Sequence, residues 1–107
     1  MSSEDQESDI GALLDINRVI HEPARLLVLC NLYVLKSADF LYLLRKTGLT
    51  RGNLSAHMRK LEEAGYVKVE KTFVDRLPVT IYRMTPSGRK EIRKYRDKLI
   101  RGLSVVN

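Results

Sequence analysis

The side chains most suited to chemistry lie together in one stretch, residues 50–60. Cations, an amide, hydroxyls and small residues occur there, and no acid lies between Asp39 and Glu62. In a DNA major groove, arginine pairs with guanine, asparagine pairs with adenine, and a methyl group contacts thymine. The stretch therefore favours recognition of nucleic acid over catalysis. Its residues of interest are Thr50, Arg51, Gly52, Asn53, Ser55, Ala56, Arg59 and Lys60.

Two kinds of DNA contact are expected from this stretch. The residues expected to read bases are Arg51, Asn53, Ser55 and Ala56. The residues expected to contact the DNA backbone, which sets register without reading sequence, are Thr50, Gly52, Arg59 and Lys60. Ser55 could also hold a phosphate instead of a base. The alternative for each side chain is a solvated position on an ordinary amphipathic helix.

A helix over about residues 51–64 would present these side chains. Leu54, Met58 and Leu61 recur with helical spacing and predict one buried stripe. Thr50 is a suitable N-cap, because its hydroxyl can accept a hydrogen bond from the first turn. The polar and cationic side chains then lie on the opposite, exposed face.

The neighbouring elements predict a helix-turn-helix followed by a hairpin. A helix predicted over residues 37–47 precedes the stretch, and a tight turn joins the two helices. Alternating β-branched and aromatic residues predict strands over residues 66–73 and 79–84. The loop between the strands carries Arg76, which we expect in or near a minor groove. A final helix is predicted over residues 86–101, after a Thr-Pro start.

The N-terminal third is predicted to hold a disordered acidic tail, residues 1–8, and two helices, over residues 9–20 and 24–35. The second helix is apolar on nearly every face, so we expect it to be buried, with Cys30 as a structural thiol. The DNA-binding domain, with terminal helices for dimerisation, is thus expected over residues 9–107.

The apolar stripes of the first and last helices exceed what a four-helix core with a wing needs to cover. We therefore expect these helices to pair with a second copy in a homodimer. The alternative is that they pack on the chain's own core. The residues expected at the dimer interface are Ile10, Leu13, Leu14, Ile92, Tyr95 and Leu99.

Composition favours a polyanion as partner. The 107 residues carry a net charge of +6, and four acids without a base in the first nine residues leave +10 on the rest. One cysteine and two scattered histidines predict no metal site, no cofactor and no catalytic residues, so we do not expect an enzyme. The polar N-terminus and the short apolar run at residues 26–35 predict a cytoplasmic protein without membrane contact.

Three segments carry a resemblance to a known family. Residues 21–29, His-Glu-Pro-Ala-Arg-Leu-Leu-Val-Leu, resemble the opening of ArsR-like repressor domains. Residues 48–67 resemble the recognition-helix signature of small MarR/ArsR-type winged-helix regulators. Asp75-Arg76 and residues 80–89 are similar to their wing and exit segment. The cysteine-rich motif of metal-sensing ArsR repressors is missing, and so is a separate effector domain.

The resemblance implies a prokaryotic-type transcriptional regulator that binds double-stranded DNA as a homodimer on pseudo-palindromic sites. The implied fold is α+β and mostly helical: a winged helix-turn-helix with a two-stranded wing and a long C-terminal helix. A small-molecule effector remains unassigned. One rival function is a winged-helix adaptor that binds proteins of the transcription machinery. RNA binding is less well supported, because no stacking aromatics lie on the basic face.

Overall fold

Five α-helices and three β-strands make up the computed structural model, which describes residues 3–107. In chain order they are α1 (Ser3–Gly11), α2 (Pro23–Leu35), β1 (Ser37–Asp39), α3 (Phe40–Thr47), α4 (Arg51–Glu63), β2 (Val67–Val74), β3 (Leu77–Met84) and α5 (Pro86–Leu103). A short 3-10 helix, Ala12–Asp15, follows α1. The expected class, α+β with mostly helical content, is confirmed.

The three strands form one antiparallel sheet in the order β1-β3-β2. β2 and β3 pair along their whole length, from Val67 opposite Met84 to Val74 opposite Leu77. This hairpin is the predicted two-stranded wing. β1 adds a third strand by pairing with residues 81–83 of β3.

The position of β1 corrects the prediction that residues 37–39 begin a helix. The Asp39 side chain accepts a hydrogen bond from the Tyr42 backbone N–H at 2.7 Å and caps α3. The helix therefore begins at Phe40. Residues 37–39 lie before this helix and pair with β3, so their backbone groups can form hydrogen bonds within the sheet.

The N-terminal segment also differs from its prediction. The predicted disordered tail is helical from Ser3 onward, whereas residues 1 and 2 lie outside the described residues. Arg101 of α5 holds this helix in place. Its guanidinium donates hydrogen bonds to the Asp9 carboxylate at 2.9 Å and to the Ser8 hydroxyl at 3.0 Å.

The helix predicted over residues 9–20 is interrupted, and residues 16–22 have no regular helical structure. The Asn17 side chain accepts hydrogen bonds from the backbone N–H groups of Val19 and Ile20. Such bonds compete with those of a helix. The Asn17 amide also donates to the Tyr66 hydroxyl at 2.7 Å, which ties this segment to the start of the wing.

One apolar core joins the irregular segment to α2, α3 and α4. Its largest fully buried side chains are Ile20, Val28, Leu29, Leu32, Leu43, Leu54, Met58 and Leu61. The predicted stripe of α4 is among them and is at most 1% exposed. This stripe therefore sets which face of α4 remains at the surface.

Helix α2 buries one face and leaves another at the surface. Leu27, Val34 and Leu35 are exposed, and so is Cys30. The predictions of a fully buried helix and of a buried thiol are therefore wrong. Within residues 3–107, no element covers these exposed side chains of α2.

Four of the six residues expected at a dimer interface pack within the chain. Ile92 and Tyr95 belong to the core and are 8% and 4% exposed. Leu13 is half-buried against Gly102 of α5, where no space remains for a Cβ atom. These contacts stabilise the docking of α5 on its own chain. Leu99 is half-buried and packs against the core, whereas Ile10 and Leu14 are exposed.

Glu22 links the irregular segment to α2. Its carboxylate accepts hydrogen bonds from the backbone N–H groups of Ala24 at 3.1 Å and Arg25 at 2.8 Å, so it caps the helix. Burial by itself would raise the pKa of Glu22. The two backbone hydrogen bonds and the electrostatic influence of His57 and Arg25 together have a larger, opposite effect, so the pKa of Glu22 lies below its ordinary value of 4.5.

Replacing this cap should reduce stability in a pH-dependent way. Glu22→Ala should lower the free energy of unfolding by about 1 kcal/mol at pH 5. Folding lowers the pKa of this carboxylate, so the charged group stabilises the protein at pH values above the pKa of the unfolded chain. This stabilisation is lost as the pH falls through the pKa of the folded protein. Urea unfolding should therefore show a smaller difference between wild type and variant at pH 3 than at pH 5. Equal stability differences at pH 3 and pH 5 would contradict the role of the Glu22 carboxylate as a charged cap. Glu22→Gln is the control, because its side chain keeps a hydrogen-bond acceptor but carries no charge.

Candidate nucleic-acid interface

The turn between α3 and α4 sets where α4 begins. Gly48 adopts the left-handed conformation with φ of 67°, and its N–H donates to the Leu44 carbonyl at 3.0 Å. Thr50 accepts a hydrogen bond from the Asn53 N–H at 3.2 Å through its hydroxyl. The predicted cap of α4 and the predicted end of α3 are thus present in the structure.

Burial of the apolar stripe leaves the other face of α4 at the surface. Of the residues expected to contact DNA from this helix, Ser55 is half-buried and the rest are exposed. They lie within the first three turns, so the structure brings them together on one surface. The Arg51 guanidinium carbon is 6.0 Å from the centroid of the Phe40 ring, which gives it a cation–π contact at the edge of this surface.

The N-terminal end of α4 is favourable to an anion. The first backbone N–H groups of a helix have no acceptor within it, and the helix dipole places partial positive charge there. The first turn of α4 contains no acid. A Cβ atom at Gly52 would meet no atom within 4 Å, so the backbone is open to close approach from outside.

A buried arginine ties α4 to the rest of the chain. Arg25 of α2 is 8% exposed, and its Nη1 lies 2.9 Å from Nδ1 of His57 on α4. Arginine can only donate, so Nδ1 of His57 accepts. The Arg25 side chain also donates to the Val19 carbonyl, and the Glu22 carboxylate lies 3.5 Å from His57. Sequence patterns do not reveal this link, because its members are distant in the chain.

A cleft separates α4 from the wing, and two of its polar residues, Lys71 and Thr80, were not predicted from the sequence. Ser55, Arg59 and Glu62 line it from the helix, and Lys71 and Thr80 line it from the strands. Strand alternation places Lys71 on the same side as the buried Val67, a signal that would have pointed to this position. Lys71 adds a cation beside the surface formed by α4.

The wing ends in a two-residue turn instead of the predicted five-residue loop. Asp75 and Arg76 have φ values of 51° and 68°. Two consecutive positive φ values are typical of the type I′ turn, whose twist matches that of paired strands. The strands therefore extend to Val74 and Leu77, and Arg76 projects from the tip, where it is exposed.

Two other kinds of site receive no support from residues 3–107. In this range no three histidine, cysteine, aspartate or glutamate side chains are grouped so that they could hold a metal ion. The helices within the same range are also too short or too polar to cross a membrane.

Comparison with known proteins identifies the fold. Residues 24–103 match the family described as winged helix DNA-binding domain. An uncharacterised protein of Methanocaldococcus jannaschii is 36% identical over 78 residues, which cover 73% of this chain and 85% of that protein. A transcriptional regulator homologue from Pyrococcus horikoshii OT3 is 27% identical, with a TM-score of 0.80, over 95% of this chain and 97% of that one.

The winged-helix fold that the predicted resemblance implies is thus confirmed. An ArsR-family transcriptional regulator superimposes with a TM-score of 0.59 over 99% of this chain and 98% of its own, and at 15% identity this likeness concerns the fold. The capped, acid-free helix and the adjoining wing both lie within the matched residues 24–103. The chain belongs to the winged helix DNA-binding domain family, and its function is DNA binding in transcription regulation.

Proposed function

We propose that this chain regulates transcription in the cytoplasm of a prokaryote by binding a specific double-stranded sequence, with α4 in the major groove. The observation that carries the proposal is the surface of α4. Its apolar stripe is fully buried, so its exposed face presents cations and an amide beside an acid-free helix N-terminus. This combination suits both phosphates and base edges.

Individual roles follow from position along α4. The residues proposed to read bases lie in the first two turns, which enter deepest into a groove in helix-turn-helix proteins: Arg51, Asn53, Ser55 and Ala56. The residues proposed to hold phosphates are Thr50, Gly52, Arg59 and Lys60. Arg76 at the wing tip is proposed to reach the adjacent minor groove, where a narrow groove attracts arginine.

A second surface supports assembly with another copy of the chain. Between α2 and α5 lies an open groove of about 400 Å³ with almost wholly apolar walls, which include Leu26, Leu99 and Ile100. Beside it, Val34 is 79% exposed and Ile100 is 63% exposed. Monomeric proteins rarely expose large contiguous apolar patches. We place the dimer contact here, on the exposed faces of α2 and α5, and at Ile10 and Leu14 near the N-terminus.

The rival role, a protein-binding adaptor, makes a different prediction about salt. If cations of α4 and the wing neutralise DNA phosphates, the logarithm of the association constant falls linearly with the logarithm of salt concentration. Each phosphate contact contributes about 0.9 to the slope for B-DNA. Fluorescence anisotropy with a labelled duplex between 50 and 300 mM salt measures this slope. Binding that is undetectable at low salt would favour the adaptor.

Base readout by α4 predicts a loss of sequence preference. Arg51→Ala and Asn53→Ala should each reduce the preference for a selected site over random DNA by about 1–3 kcal/mol. The reason is that each removes donors that match one base pair. Competition binding with DNA selected from a random library measures the preference.

Lys90→Ala is the matched control for these variants, because it removes an exposed cation on α5, away from α4. Its preference for the selected site should equal that of wild type. If Arg51→Ala and Asn53→Ala also keep full preference, the assignment of base readout to these residues is wrong.

The proposed assembly surface predicts monomers when charge is introduced into it. Val34→Glu and Ile100→Glu should dissociate the dimer and weaken DNA binding, since both side chains are exposed in one chain and a buried unpaired carboxylate is costly. Analytical ultracentrifugation measures the mass. Leu41→Glu, at a residue that is 51% exposed on α3, is the control and should remain dimeric. A wild-type protein that stays monomeric at high concentration would refute the proposal.

A further inference from the structure

The wing tip exposes more apolar surface than hairpin formation requires. Phe73 is 73% exposed, Leu77 is 67% exposed and Val74 is 53% exposed. These residues flank the Asp75–Arg76 turn, so an exposed phenyl ring stands beside the projecting arginine. An apolar patch at the end of a DNA-binding hairpin is suited to contact, because large exposed apolar groups are usually found at binding surfaces.

The two faces of the hairpin are not equivalent. Side chains two residues apart in a strand point to the same face. Val69 and Lys71 line the cleft against α4, so Phe73, two residues further, lies on the face that looks toward that helix. Its partner across the hairpin is Pro78. Leu77 lies on the opposite face.

Along the face toward α4, side-chain chemistry changes in steps. At the base Val67 and Tyr82 are buried in the core. Next come Lys71 and Thr80, which are polar and paired across the strands. Beyond them lies the exposed apolar ring of Phe73. Nothing in the described part of the chain covers this ring, since it extends past the cleft formed with α4.

The order of cation, apolar ring and cation matches the cross-section of a DNA minor groove. Lys71 lies behind Phe73 and Arg76 lies ahead of it. Phosphates line the edges of a minor groove and stacked bases form its floor, and proteins that bind there frequently insert apolar wedges between base steps. A duplex bound to α4 must pass the side of the wing that faces this helix.

We propose that Phe73 is an apolar wedge that enters the minor groove beside the α4 site, partly unstacks one base step and bends the DNA. This inference rests on the proposed placement of α4 in the major groove. The type I′ turn and the pairing of β2 with β3 along their whole length fix the position of Phe73 within the hairpin. Pyrimidine–purine steps unstack most easily, so the wedge favours a flank with a TA step over an unbroken A-tract.

The test uses the full chain and 30-base-pair duplexes (roughly three helical turns) recovered from a random library by the wild-type protein. Fluorescent dyes at both ends report bending through energy transfer. 2-Aminopurine, placed at each flanking position in turn, reports unstacking by increased fluorescence. Wild type should bend the DNA by about 20–90° and brighten one flanking position. Replacing TA by AA at that position should weaken binding by roughly tenfold, which corresponds to about 1.4 kcal/mol.

Two variants separate the wedge from other roles of the tip. Phe73→Ala should still bind at saturating concentration but should lose the bend, the fluorescence signal and the preference for TA, whereas Phe73→Leu should keep part of each. Leu77→Ala removes a similarly exposed apolar side chain from the opposite face and should behave as wild type.

The outcomes distinguish this inference from the proposed function. Salt-dependent binding by wild type without bending or unstacking would overturn the wedge and leave DNA binding intact. Equal losses in Phe73→Ala and Leu77→Ala would also overturn it, since the tip would then act through general apolar contact. Absence of binding by wild type would overturn the proposed function together with the wedge. If Phe73→Ala folds poorly, the comparison of Phe73→Leu with Leu77→Ala makes the same distinction, because only Phe73→Leu should lose part of the wild-type fluorescence signal.

Discussion

Burial of one apolar stripe on α4 is the constraint on which the proposed DNA-binding surface depends. Leu54, Met58 and Leu61 are almost completely excluded from solvent. Rotating the helix would expose these side chains to water, and the free-energy cost is about 25 cal/mol for each Å² of apolar surface exposed. The exposed face of α4 is therefore determined by what the opposite face buries. Cations and an amide on that face need no contacts of their own to be correctly oriented.

Polar contacts add precision that burial alone does not supply. An apolar stripe permits small shifts of a helix along its axis, whereas hydrogen bonds require defined distances. Arg25 connects the carbonyl of Val19 to His57 on α4, and Asn17 connects the same irregular segment to Tyr66 at the base of the wing. The segment between the 3-10 helix and α2 thus contacts both of the elements proposed to bind DNA. Because the backbone of this segment is not in a regular helix, the Val19 carbonyl can accept a hydrogen bond from Arg25.

The proposed DNA surface and the apolar groove for a second copy lie on different elements. Helix α4 and the wing contribute to the first, and α2 and α5 contribute to the second. Helix α5 packs on its own chain through Ile92 and Tyr95 in the core and through Gly102 against Leu13. The exposed apolar side chains of α5 are the ones proposed for assembly.

Local signals were enough to predict the helix-turn-helix, the wing and the exposed residues of α4: helical spacing, a Thr50 cap and strand alternation. What covers each apolar face could not be predicted in this way, since periodicity shows that a face is apolar but not what packs on it. Thus Tyr95 is buried within the chain, whereas Cys30 is exposed. Pairings between distant residues, such as Arg25 with His57 or β1 with β3, leave no local pattern and were missed for that reason.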